Sequence, residues 1–482
     1  MDNLKQIFLA TVFCAFAASV GVADPAFDDH FTGATLRFDY YHSGTADEEH
    51  VSLDRFRLEG DWPGRRATLL DTNNLGKYLF VVVDPQTHLP IYSQAFSSIY
   101  GEWETTGEAR RGVWRSLHES QRFPEPKHPV QVLLKKRHYD GTFREIYSTL
   151  IDPTHRSVDR SAIAQKNRVW AVLDNGNPAE KVDLLILGDG YTADEMDVYQ
   201  EDARRAADLL FGFPPFSTRK DDFNVWAIDV PAEESGISRP RSGLWRASPL
   251  GMSYNSFDSE RYVLTLDNRR LRETAAQAPY DALLLIANSE KYGGGGIFNL
   301  YSTAAAKGKQ YGYLVVHEFG HAFAGLADEY YTSQVSYENF NPPGVEPWEP
   351  NITALLDPDN VKWSHLVSED TPLPTSWNQD EYDSMMADFQ KERGKLRAAG
   401  ATEEVMEEYF ARVKKATTEL LTAEPFFEQV GAFEGGGYEA KGIYRPQADC
   451  IMFTRNPKHF CSVCSEAIER VIDSYLPEPS HE

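Results

Sequence analysis

The sequence predicts a mixed α/β (α+β) body preceded by an all-β, sandwich-like block. Three observations carry that reading. Residues 24–159 run in short alternating segments separated by turn residues. From about residue 160 onwards, apolar runs alternate with helical patterns, as in mixed α/β domains. Hydrophobic residues are 41% of 482, enough to build real cores and too much chain for one average domain.

The elements follow in order. In the first block the alternating runs are 34–41, 78–83, 130–134 and 145–151. Asn73-Asn74, Asp84-Pro85 and Asp140-Gly141 punctuate them. Short strands with turns between them read as a β-sandwich over 24–159. No group of His, Cys and carboxylates there has a recognisable ligand spacing, so the block is read as an accessory domain. In the second block, 160–482, the apolar run 182–187 ends in Gly188-Asp189-Gly190. That turn lacks both nucleotide-binding glycine patterns. Thr192 with Glu195 three residues on forms a capping box for a helix to about Phe211. Residues 224–230 read as a second strand, 264–277 as a helical pattern and 281–288 as a buried strand. Residues 293–296, a glycine run after Tyr292, read as a loop; the alternative is an edge strand that binds an extended peptide. Residues 381–424 are rich in Glu, Lys, Arg and Ala, and read as a helical insertion broken near Gly400.

Charge and leader limit the partners. Lys+Arg 48 against Asp+Glu 73 leaves −25, a surface that repels nucleic acid and anionic membranes. Lys5, the apolar residues 7–22 and the small residues Gly21 and Ala23 read as a signal peptide, 1–23. The expected product is exported, periplasmic or secreted, and has no membrane span in its mature chain. Four cysteines in a chain of this length make no disulfide-dense scaffold.

The chemistry lies at 317–329. His317-Glu318-Phe319-Gly320-His321 places two histidines four apart, on one helix face, where both imidazoles can reach one ion. Zinc, Zn2+, takes such nitrogen ligands and leaves room for a water that Glu318 can deprotonate. This five-residue pattern arises by chance in about 2–3 of 100 such chains. Gly325 can end the helix in a left-handed turn and return Asp328 or Glu329 to the ion. Asp328 is favoured because the shorter spacing needs less chain. Pro342-Pro343, Pro347 and Pro350 break any later helix that would supply the third ligand. No Gly-x-Ser-x-Gly elbow is present to support a serine hydrolase.

With Gly325-Leu326 and Asp328-Glu329-Tyr330 added, this segment resembles the IgA-protease family of zinc metallopeptidases, which belongs with the metzincins. Gly188–Thr192, Glu349-Pro350-Asn351, Lys362-Trp363, Gly431–Tyr438, Tyr444-Arg445-Pro446, Cys450-Ile451-Met452 and Phe460–Cys464 carry the same resemblance. It implies a metzincin-like catalytic fold, zinc, endopeptidase chemistry on a protein or peptide substrate, and export. Met452 is then the residue of the Met-turn beneath the ligands. One spacing departs from the general metzincin pattern: Gly325 and Asp328 fall eight and eleven residues after His317, where seven and ten are usual. Tyr438, Tyr444 and Arg445 are candidates for lining the cleft or holding an oxyanion.

The cysteines left after leader removal are Cys450, Cys461 and Cys464. An oxidising compartment allows one disulfide among them, fixing the loop around Met452. The sharper alternative is a second zinc site with a fourth ligand such as His459. The leading functional expectation is an exported zinc endopeptidase with His317, His321 and Asp328 as ligands and Glu318 as base. Its rivals are a non-catalytic surface binding module derived from a peptidase and a metal-dependent amidase on cell-wall peptides.

Overall fold

The computed structural model describes residues 25–331, 341–457 and 459–477; the leader expected at 1–23 lies outside them. After a short turn of helix, α1 (Phe27–His30), come eight strands. They are β1 (Phe31–Gly44), β2 (Glu49–Asp61), β3 (Tyr78–Val83), β4 (Pro90–Phe96), β5 (Arg115–Pro126), β6 (Val130–Arg137), β7 (Phe143–Ile151) and β8 (Val158–Asp159). They make two four-stranded sheets, β5-β1-β2-β8 and β4-β3-β6-β7. Alternation along β1 explains the stacking. Leu36, Phe38 and Tyr40 point into a core shared with Phe80, Phe123 and Val132.

The opposite face of β1 is also buried, although it carries charge. Arg37 and Asp39 are both fully buried. Arg37 donates to Asp39 at 2.7 Å, to Glu59 at 2.6 Å and, across to the second block, to Glu273 at 2.8 Å. Burial of an unpaired guanidinium would be costly, so the carboxylates on three sides are what let this face close. Two short helices between β4 and β5, α2 (Ile99–Trp103) and α3 (Gly107–Arg110), complete the junction. Ile99, Tyr100 and Trp103 share one core with Leu185, Leu187 and Leu285. Asp39, Asp54 and His118 also come together in this block, a grouping that ligand spacing in the sequence does not reveal. Their carboxylates are already matched, Asp39 by Arg37 and Arg55, Asp54 by Arg269.

The second body is built on a six-stranded sheet. Its segments are β9 (Val169–Leu173), β10 (Val182–Asp189), helix α4 (Met196–Leu210) and β11 (Phe223–Ile228). A small ribbon, β12 (Met252–Ser253) with β13 (Leu264–Thr265), precedes α5 (Asn268–Ala275). Then come β14 (Ala282–Ala287), β15 (Gly294–Ile297), β16 (Tyr301–Ala305) and α6 (Tyr311–Ala324). The order is β15-β16-β14-β10-β11-β9, parallel at its centre with antiparallel strands β15 and β9 at its edges. Leu184 and Ile186 of β10 face Ala203 of α4 and Phe319 of α6. Leu185 and Leu187 face Leu271 of α5 and the junction helix α2. A strand covered on both faces must be apolar throughout, which is why 182–187 shows no alternation.

Two local expectations need correction. The helical pattern over 264–277 begins as strand β13, and helix starts only at Asn268, where the Asp267 side chain caps the Arg270 N–H. The glycine run at 293–296 is mainly edge strand β15, not loop. The missing side chains are the reason. A Cβ on Gly296 would sit 2.3 Å from the Glu318 carbonyl oxygen and 2.7 Å from the His321 Cβ. Only glycine lets a strand lie this close to α6.

The rest of the chain folds over the same core. Helices α7 (Gln379–Ala398) and α8 (Glu403–Thr422) form the charged hairpin, turning at Gly400. The ribbon β17 (Phe433–Gly436) with β18 (Glu439–Arg445) and the helix α9 (Ser462–Tyr475) follow. Among the described residues no helix is long and apolar enough to cross a membrane.

Candidate metal centre and active site

Helix α6 carries His317, Glu318 and His321. It stops where Gly325 takes a left-handed conformation, φ +63°, and its N–H returns to the His321 carbonyl at 3.1 Å. A side chain there would be strained and would meet Trp348 at 2.9 Å. The chain then doubles back. Asn351 holds the returning segment: its Oδ1 accepts from the Ala327 N–H at 2.7 Å and its Nδ2 donates to the Ala327 carbonyl at 3.0 Å. The turn delivers Asp328 to the histidines.

Three ligand atoms converge. His317 Nε2 lies 3.1 Å from His321 Nε2. Asp328 Oδ1 lies 3.0 Å from the first and 3.3 Å from the second. The other ring nitrogens are taken. His317 Nδ1 is 3.1 Å from the Ile451 carbonyl, and His321 Nδ1 is 2.5 Å from the Leu326 carbonyl. A carbonyl only accepts, so each Nδ1 carries a proton and Nε2 is the nitrogen each ring turns to the centre. Two imidazole Nε2 atoms and a carboxylate oxygen therefore face one another. Asp328 Oδ1 is buried with no hydrogen-bond donor of its own. Ligands held by a metal at roughly 2.0–2.2 Å in tetrahedral geometry stand about 3.3–3.5 Å apart, close to these separations. The donor set fits a metal ion.

The electrostatics point the same way. Burial works against a positive His321, but Asp328 outweighs it and raises the imidazole to about 9. The cluster therefore draws positive charge to its centre. Burial also lifts the Glu318 carboxyl above its usual range, with the two histidines opposing and Asp328 adding to the rise. A raised carboxyl is a better proton acceptor in its ionised form.

Several residues around the cluster were not singled out by sequence reasoning. Tyr313, one turn before His317, is 3.1 Å from its Nδ1. Arg455 donates to the Tyr292 hydroxyl at 3.1 Å and lies 5.1 Å above the Tyr313 ring. Spacing four before His317 was a signal for Tyr313; Arg455 had none.

Of the three cleft candidates, Tyr438 reaches the cluster: its hydroxyl donates to Asp328 Oδ2, leaving Oδ1 turned to the histidines. The glycine run before Tyr438 docks on the returning segment, with Gly437 N–H on the Asp328 carbonyl at 2.8 Å. Tyr444 and Arg445 serve elsewhere. Tyr444 pairs its backbone with Thr353 at 2.8 and 3.0 Å. The Arg445 guanidinium is buried, donates to the Gly435 carbonyl at 2.9 Å and stacks on Phe453 at 3.9 Å. Asp189 is also structural, accepting from Ser248 at 2.6 Å and from the Leu250 and Met252 N–H groups at 2.9 and 2.8 Å. Beside α6, the outer edge of β15 is already paired at Gly294 with the segment 261–263.

Glu329, the rival third ligand, turns away from the histidines to Cys450, Cys461 and Cys464. All three cysteines are free and buried, so no disulfide closes the loop. His459 is exposed and stands outside that group.

Residues 170–472 match the family described as IgA Peptidase M64, and residues 26–148 match the family described as Peptidase M64 N-terminus. The chain belongs to the IgA peptidase M64 family. Membership makes it a peptidase, a hydrolase acting on peptide substrates. No curated protein matches the chain significantly.

Proposed function

We propose that this M64 peptidase is an exported, zinc-dependent endopeptidase with a metzincin-like catalytic domain, residues 160–482, behind an accessory sandwich, 24–159. The observation that carries the reading is the convergence of His317 Nε2, His321 Nε2 and Asp328 Oδ1, with both histidines oriented by backbone carbonyls. The left-handed turn after α6 and the buried Met452 support the metzincin-like assignment. Carbonyls on both sides of Met452's own peptide unit hold the site: Ile451 takes His317 Nδ1 and Met452 takes the Glu329 N–H at 2.9 Å. Zinc is favoured by the nitrogen-rich donor set.

A zinc ion bound there would polarise the scissile carbonyl and acidify the attacking water. The chain's own residues do the rest. His317 and His321 turn Nε2 towards the centre because the Ile451 and Leu326 carbonyls accept from Nδ1. Tyr438 holds Asp328 in position through its outer oxygen. Glu318 accepts the water proton on its carboxylate and delivers it to the leaving amine nitrogen.

Cleavage of a mixed peptide library by the mature chain, with zinc measured on the same samples, tests this. The Glu318→Gln variant is expected to keep its zinc and lose about 10³-fold in kcat/KM. A zinc-loaded wild type that cuts no peptide, or a Glu318→Gln variant that cuts as well, overturns the proposal. Release of amines from purified wall material instead would move the chain to the amidase class.

A further inference from the structure

We propose that Glu329, Cys450, Cys461 and Cys464 form a second zinc site, structural rather than catalytic, adjoining the histidine cluster. One ligand atom from each lies within 4.8 Å of the others. Cys450 Sγ is 3.9 Å from Cys464 Sγ. Glu329 Oε1 is 3.2 Å from Cys464 Sγ and 3.9 Å from Cys461 Sγ. Zinc–sulfur bonds of about 2.3 Å at tetrahedral angles set sulfur atoms about 3.8 Å apart, and sulfur from oxygen about 3.5 Å apart. Cys450 and Cys464 stand near the first of these separations and the two Glu329 contacts bracket the second, without an S–S bond.

The surroundings suit thiolates. Cys461 caps the start of α9, and the Cys464 N–H points at its sulfur from 3.4 Å. The Cys461 N–H points at Cys450 Sγ from 3.2 Å. Backbone donors aimed at sulfur stabilise negative charge there. Glu329 is the odd member. It is fully buried, and while Oε1 accepts from Asn351 Nδ2 at 2.9 Å, Oε2 has no partner. A cation would offset the burial of this partnerless carboxylate oxygen and of the three sulfurs enclosed with it. Soft sulfur donors in a sealed site select zinc over magnesium or calcium. Four protein ligands would fill the tetrahedron and leave no position for water, the hallmark of a structural site.

The position gives the site its role. Glu329 follows Asp328, the third ligand of the histidine cluster. Cys450 precedes Ile451, whose carbonyl orients His317. One ion held by Glu329 and Cys450 therefore pins both the segment that presents Asp328 and the segment that orients His317, and α9 anchors the pair through Cys461 and Cys464.

The site is tested by metal content and by cobalt. The mature full-length protein should hold about two equivalents of zinc. The His317→Ala/His321→Ala variant should retain one of them, and Cys461→Ser/Cys464→Ser should lose that one. Cobalt supplies a readout that needs no cysteine variant. The histidine cluster contains no sulfur, so a sulfur-to-cobalt charge-transfer band in the cobalt-loaded protein reports the second site alone. That band should persist in the double histidine variant, whatever becomes of the peptidase proposal. A cobalt-loaded chain without the band, native thiols that alkylate freely, or an intact mass revealing a disulfide would each overturn the site.

Discussion

Asp328 and Glu329 are neighbours in sequence, yet they serve two clusters of opposite character. Asp328 joins two histidines beside Glu318, and the His321 side chain keeps 14% exposure. Glu329 joins three cysteines in a pocket where its exposure is 0% and theirs is at most 2%. The first set is nitrogen and oxygen, three donors, with one side towards solvent. The second is mainly sulfur, four donors, sealed. Under the two proposed assignments, ligand count and access separate a reacting centre from a holding one, even where the two share a peptide bond.

The sharpest way to break the comparison is to cut on either side of that bond. Asp328→Ala should remove the metal of the histidine cluster and lower kcat/KM by about 10³-fold or more, read by peptide cleavage. Glu329→Ala should cost about 3 kcal/mol or more in urea unfolding, because three buried sulfurs lose their shared partner. If the two variants behave alike, the clusters act as one unit. Chelation offers a second cut. A brief exposure to EDTA should stop cleavage while the cysteines stay unreactive to thiol reagents; simultaneous loss of both would erase the distinction. Tyr438→Phe removes the donor to Asp328 Oδ2 and should lower metal affinity or activity by about 10–100-fold with the fold intact. Gly325→Ala strains the turn that feeds both clusters. It should lower stability by about 1–2 kcal/mol, measured by denaturant titration.

The parts of this design differ in how legible they were. The strands at 78–83 and 182–187 and the helix break at Gly400 could be read because short-range alternation, apolar runs and glycine are local signals. The left-handed stop at Gly325 was equally local. The charged face of β1 was not legible. Arg37 and Asp39 look like a solvated strand face; their burial, and the contact of Arg37 with Glu273 far along the chain, exist only in the folded protein. The edge strand β15 was misread because three glycines resemble a loop until the helix they pack against is known. Asn351 looked like one residue of a short family match, and its clamp on Ala327 and Glu329 is visible only in the folded chain.

By itself, the sequence determined the helix, the two histidines on its face, the glutamate between them and the glycine that ends it. Those follow from a 3.6-residue period and one left-handed residue, both properties of neighbouring backbone. Tertiary structure alone decided that Asp328 and Glu329 diverge, that Tyr438 holds the first, and that the cysteines gather around the second. Those contacts join residues more than a hundred positions apart. No local period encodes such distances; they exist only once the core has closed and brought the segments together.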